Sequence, residues 1–148
     1  MKRITAILAA AILGLSVSVA ALAQQTVVEV YKSPTCGCCS DWIKHLQQNG
    51  FTVRTHEVSD TSEYRAKFGV PDQFGSCHTA MVDGYAIEGH VPAREIKRLL
   101  AERPKAKGLA VPGMPMGSPG MDGPRSDPYA VLLFQMDGNY AVYQKYGK

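Results

Sequence analysis

The sequence carries little excess charge: sixteen Lys and Arg stand against thirteen Asp and Glu, a formal net charge of +3 in 148 residues. So balanced a chain lacks the electrostatic footprint of a nucleic-acid binder, and its charge selects no other partner. No internal repeat is present, and no hydrophobic run beyond residue 23 is long enough to span a bilayer. The 45% hydrophobic and 20% charged content excludes wholesale disorder, and the length suits one ordinary domain with a modest core.

Lys2-Arg3 precedes an apolar run from Ile4 to Ala21 that ends in Ala21-Leu22-Ala23. This pattern predicts a secretory signal peptide over residues 1–23, cleaved after Ala23, rather than a retained membrane anchor. The expected mature chain, 24–148, is a single exported domain of the periplasm with no stable membrane insertion after cleavage. Beyond the inner membrane thiols are oxidised unless something reduces or ligates them, so the four cysteines demand an explanation.

Val27 to Tyr31 reads as a short strand closed by Ser33-Pro34, and helical spacing from Ser40 places Trp42, Ile43 and Leu46 on one face. Cys36 to Cys39 therefore sit at a helix N-terminus. Phe51 to Val58 reads as a second strand, and Thr61 to Phe68 as a short helix capped by Asp60. Thr79–Val82 and Tyr85–Glu88 flank Asp83-Gly84 as a hairpin. Pro92 then opens a helix with Ile96, Leu99 and Leu100 on one face. This β-α-β-α-β-β-α order predicts an α/β, thioredoxin-like fold, a central mixed sheet flanked by helices. Residues 108–128 are expected to form a Met/Pro/Gly-rich loop. Its segment Leu109–Pro124 holds four Pro, four Gly and three Met, too irregular for helix or strand. Tyr129–Met136 and Tyr140–Tyr146 predict an extra C-terminal β-hairpin that extends the sheet or covers an edge.

Cys36-Gly37-Cys38-Cys39 contains a Cys-x-x-Cys pair with a third cysteine intruding. Partial positive charge and free N–H groups at the helix terminus favour thiolates there, which suits redox chemistry or metal binding alike. In the predicted fold Cys77, in Ser76-Cys77-His78-Thr79, precedes the third strand and faces the start of the first helix. Four converging thiols form a soft site that selects copper(I) or zinc over hard cations. Zinc sites usually use separated Cys-x-x-Cys pairs, so three sulfurs in four residues suit bridged copper better. Two structural disulfides, Cys36–Cys39 and Cys38–Cys77, are the bland alternative. Met114, Met116 and Met121 offer thioether ligands from the loop, whereas Met81 and Met136 are expected to fill the core. Of the histidines, His78 is a candidate ligand, His90 is expected to cap or pack near the third helix, His45 to be solvated and His56 to be ordinary.

The segments Tyr31–Cys39, Ser76–Ala80, Ile87–Ala93 and Gly108–Pro115 resemble the CopG-type periplasmic copper-resistance proteins, formerly a domain of unknown function, across essentially the whole mature chain. The resemblance implies a thioredoxin-like fold and a cysteine-bridged multinuclear copper cluster, with a proposed oxidoreductase role toward copper. Carried over by position, Cys36, Cys38 and Cys39 match the Cys-x-Cys-Cys motif and Cys77 the Cys-His motif; His78, Met114 and Met116 are additional candidates that the resemblance does not itself assign. The expected function is copper(I) binding in copper resistance, with cycling to copper(II) open and other periplasmic copper-handling proteins as partners. A thiol-disulfide oxidoreductase using Cys36 and Cys39, and a passive copper buffer or chaperone without turnover, are the alternatives.

Overall fold

The computed structural model describes residues 26–147, so the expected signal segment 1–23 lies outside the described residues. The chain runs β1 (Val27–Lys32), α1 (Gly37–Gln48), β2 (Thr52–Glu57), α2 (Thr61–Lys67), a 3-10 turn (Asp72–Phe74), β3 (His78–Val82), β4 (Tyr85–Glu88), α3 (Ala93–Glu102), β5 (Gly108–Ala110), β6 (Tyr129–Phe134) and β7 (Tyr140–Tyr146). All seven strands join one mixed open sheet in the order β2-β1-β3-β4-β5-β6-β7. The pairs β1/β2 and β4/β5 are parallel and the other four antiparallel.

Alternation along the strands sorts side chains to two faces. Val28 and Val30 of β1, Ala80 and Val82 of β3, Ile87 and Leu109 face one side with Trp42, Ile43, Leu46, Ile96 and Leu99 of α1 and α3. Ala86, Ala110 and Phe134 face the other, with Val70 and Phe74. The helical spacing read from the sequence thus identifies Trp42, Ile43, Leu46, Ile96 and Leu99 as buried, while Leu100 is only partly so and Cys39, Ala93 and Glu95 are buried besides. Asp60 caps α2 as expected, accepting the Ser62 N–H at 2.8 Å.

Two local expectations are corrected. The Pro/Gly/Met segment is not irregular from its start: Gly108–Ala110 forms β5, lying between β4 and β6 and buried throughout. Three small or aliphatic residues suffice when strands on both sides supply hydrogen-bond partners, a tertiary gain that a local pattern does not display. Met136, expected in the core, is 69% exposed at the β6–β7 turn, whereas Met81 does pack against the second cluster.

The C-terminal hairpin extends the sheet and is fastened to α3. The fully buried Glu95 carboxylate accepts a hydrogen bond from the Tyr146 hydroxyl at 2.7 Å. Arg98 donates to the Tyr143 carbonyl at 2.8 Å and stacks 3.5 Å from the ring centroid of the same residue.

Candidate metal centre

Helix α1 begins at Gly37, so Cys36 is its N-cap and Cys38 and Cys39 lie in its first turn. Trp42, one turn further, is fully buried and donates its indole N–H to the Val91 carbonyl at 2.8 Å. That bond pins the helix against the turn after β4. Its ring lies 4.3 Å from His78 by centroids, forming one wall beneath the cysteines.

The four sulfurs meet as the spacing predicts. Cys36 and Cys39 form a disulfide, and Cys38 and Cys77 are free thiols. Cys38 Sγ lies 3.6 Å from Cys36 Sγ, and Cys77 Sγ lies 3.5 Å from Cys39 Sγ. All four ligand atoms fall within 4.8 Å of one another. Of the bland pairing of two disulfides, only Cys36–Cys39 is present.

A second group shares Cys77: its sulfur and one ring nitrogen each of His78 and His90 also lie within 4.8 Å of one another. Cys77 Sγ is 3.4 Å from His78 Nδ1 and 3.0 Å from His90 Nε2. His90, expected to cap or pack near α3, therefore belongs to the centre. The cap is His45 instead, whose Nε2 accepts the Ala93 N–H at 3.0 Å; it is not the solvated residue anticipated. His56 pairs with Glu29 at 2.7 Å and stacks on Tyr31, the ordinary structural role foreseen.

The tautomer of His90 follows from its neighbours. Pro119 offers only a carbonyl, so Nδ1 carries the proton and donates to it at 2.8 Å. Nε2 then presents a lone pair toward Cys77, the disposition of a metal-ligating imidazole held by a carbonyl behind it. Burial lowers the His90 pKa. His78 is fully buried, and burial aided by the charge of His90 pushes it down to about 3. Its Nε2 has no hydrogen-bond partner among the described residues. Burial, with a further contribution from Cys38, pushes the Cys77 thiol up to about 12. Neutral imidazoles and a protonated thiol are the metal-free resting state; a soft cation would displace the thiol proton.

These donors fit a soft metal ion well. Thiolate sulfur and neutral imidazole match copper(I) or zinc, and a fully buried unpartnered ring nitrogen beside them has a coordinating role available. The His78 shift also has a consequence for metal-free protein. The unfolded chain binds a proton near pH 6.5 that the folded chain refuses until about pH 3, so stability falls on acidification through that window. Chemical denaturation in steps from pH 7 to pH 4 is expected to show a steadily declining midpoint; a flat profile contradicts a neutral buried His78.

Cys77 is held by a clamp that sequence reading missed. Glu88, fully buried at the end of β4, accepts the Ser76 N–H at 2.7 Å, the Thr79 hydroxyl at 2.6 Å and Arg65 Nε at 3.0 Å. Arg65 Nη2 also donates to the Ser76 carbonyl at 2.9 Å. Both backbone groups of the residue before Cys77 are thereby fixed by one ion pair. Lys32 is a second unforeseen neighbour, 4% exposed and opposite His78 in the β1–β3 register.

Beyond β5, the Pro/Gly/Met segment folds back over the centre. Gly113 N–H bonds to Gly75 O at 3.1 Å, the Ser76 hydroxyl donates to Gly113 O, and Pro119 O holds His90. Gly120 sits so close to α1 that an added Cβ would lie 2.6 Å from Trp42 N and 2.7 Å from Cys38 O, at a φ of +83°. Gly120→Ala is expected to cost about 2 kcal/mol through this clash and the strained backbone, and to expose the segment. Faster protease cutting within residues 111–124 checks it; an unchanged cutting rate contradicts the packing. Met114 is 52% exposed, and the methyl of the half-buried Met116 lies against the exposed Gly123.

A sulfur- and imidazole-lined centre at a helix N-terminus, carried by a mixed α/β sheet, defines a protein built around a cysteine site suited to soft metals. Two solved structures, forms 1 and 2 of a copper resistance protein CopG, match at 46% identity and a TM-score of 0.79. Each match covers 84% of this chain and the whole of the other. A family described as a protein of unknown function, DUF411, matches residues 74–121, the stretch from the Cys77 arm through the closing segment. No curated protein sequence matches. The chain belongs to the CopG copper-resistance family.

Proposed function

We propose that this chain is a periplasmic copper(I)-binding protein of copper resistance, holding copper in a cysteine-bridged multinuclear cluster. The observation that carries this reading is the convergence of four sulfurs within 4.8 Å at one helix terminus, in a relative of a copper resistance protein. Sulfurs so crowded favour ions that share bridging thiolates, and copper(I) accepts the low coordination number this imposes. Cys36, Cys38, Cys39 and Cys77 are the proposed ligands, with His78 and His90 beside them. Met114 and Met116 are proposed as capture ligands on the closing segment. The exported domain spans 24–148, and its β1–α3 core is read as thioredoxin-like; the order β2-β1-β3-β4 with parallel β1/β2 supports this. Cycling of bound copper(I) to copper(II), with one electron passing to an external acceptor, would make the protein an oxidoreductase. Without such cycling it is a buffer that hands copper to other periplasmic proteins.

Anaerobic titration of the fully reduced protein with copper(I) against a competing chelator tests the reading. Two or more tightly held ions per chain are expected, and none would overturn it.

The disulfide itself favours one other reading, a thiol-disulfide oxidoreductase in which Cys36 attacks and Cys39 resolves. Reduction of insulin by metal-free protein is its test. Cys38 and Cys77 adjoin different sulfurs of that bridge and would compete with Cys39 to resolve a mixed disulfide, which is why copper binding ranks first.

A further inference from the structure

The disulfide removes two of the four thiols yet leaves a coherent set of donors. Cys38 and Cys77 keep their sulfurs within 4.8 Å of each other, and Cys77 keeps both imidazoles within the same span. His90 needs no rearrangement, because the Pro119 carbonyl already directs its Nε2 lone pair at Cys77. The fully buried His78 contributes a nitrogen at 3.4 Å and a second that is unpartnered among the described residues. Bridging several ions needs more sulfur than two thiols supply, whereas one copper(I) is satisfied by two or three soft donors.

We infer that the protein has two metal-binding states set by the Cys36–Cys39 bridge: a multinuclear state when reduced, and a single-copper(I) site of Cys38, Cys77 and His90 when the bridge is closed. The inference rests on the copper reading above and assigns the disulfide form a capacity of its own. Oxidation then lowers the load without emptying the protein, and Cys77 is the ligand common to both states. On binding, the copper ion takes the places of the Cys38 and Cys77 thiol protons, which pass to solvent.

The test compares two preparations of the protein by native mass spectrometry after anaerobic loading with copper(I) in the absence of thiols. One is fully reduced. The other is oxidised with a single equivalent of an azodicarboxamide, which takes the two electrons and two protons of the dithiol to become the hydrazine. Peptide mapping before and after loading confirms the Cys36–Cys39 bridge, and the mass of the loaded chain, two hydrogens short of the reduced one, confirms that it stays oxidised. Two or more ions on the reduced chain and one on the bridged chain are expected. Cys77→Ser and Cys38→Ser should each remove that one ion, and His90→Ala should weaken it by at least about tenfold, with circular dichroism verifying the fold. A bridged chain that binds none, or binds two or more, overturns the inference and leaves the copper reading standing. A reduced chain that binds none overturns the copper reading, and the inference with it.

Discussion

Cys77→Ser is expected to lower the copper held by the reduced protein by at least one ion per chain while changing the stability of the metal-free fold by less than about 1 kcal/mol. Cys77 is the one residue common to the two donor groups, lying 3.5 Å from Cys39 Sγ and 3.0 Å from His90 Nε2. Serine is close to cysteine in size but replaces a soft sulfur by a hard oxygen, so the donor is lost with little change in packing. Copper counted after desalting, beside a thermal melt of the metal-free variant, measures both halves. A full copper complement in the variant would sink the four-sulfur centre.

Arg65→Ala is expected to destabilise the protein by about 3 kcal/mol, because it leaves the Glu88 carboxylate buried without its cation. Arg65 is 13% exposed and Glu88 not at all, so solvent screens this pair little. Burial already raises the Glu88 pKa, against the opposing pull of Thr79, Ser76 and Arg65. Without Arg65 the carboxyl takes up a proton more readily, which holds the loss near the lower end for a broken buried pair. Glu88→Gln in the Arg65→Ala background keeps an acceptor oxygen for the Ser76 N–H and offers its amide N–H to the Thr79 hydroxyl, which can turn to accept it; with the charge gone, part of the loss should be recovered. Denaturant midpoints for the two single variants and the double variant form the cycle that isolates the coupling. Strict additivity would mean that the pair does not act as a unit. The same variants should also weaken copper binding, since Ser76 leads directly into Cys77.

The strands and helices through α3 were legible because each carries a local signal. Trp42, Ile43 and Leu46 recur at helical spacing, and Asp83-Gly84 marks its hairpin. The three clustered cysteines announce a soft site at a helix start, and Cys77 could be placed opposite by topology alone. β5 was not legible, because a three-residue strand takes its stability from the neighbours on either side rather than from its own pattern. His90 was within reach and missed. The tight Asp83-Gly84 turn pairs Val82 with Tyr85, and counting outward along the register Thr79↔Glu88 brings Cys77 opposite His90. The link from His90 to Pro119 is different: it depends on where a Pro/Gly segment crosses the helix terminus, which no periodicity encodes. Arg65 and Glu88 were likewise hidden, since 23 residues separate them and each alone reads as a surface charge.

The closing of residues 111–124 over the cysteines gives the centre a wall that sequence composition left undecided. Pro119 orients the imidazole and Gly120 packs on the helix turn that carries Cys38, so the segment is tied to two of the proposed ligands. Copper loading is therefore expected to protect the segment from proteases. Metal contacts through Cys38 and His90 hold both surfaces on which it rests.

X-ray absorption at the copper edge on the loaded, reduced protein tests the central claim most directly, because it reads the atoms around the metal without reference to affinity. A first shell dominated by sulfur, with a further shell from neighbouring copper, is the result predicted for thiolate-bridged ions at Cys36, Cys38, Cys39 and Cys77. A first shell of nitrogen and oxygen alone, with no copper neighbour, would contradict it.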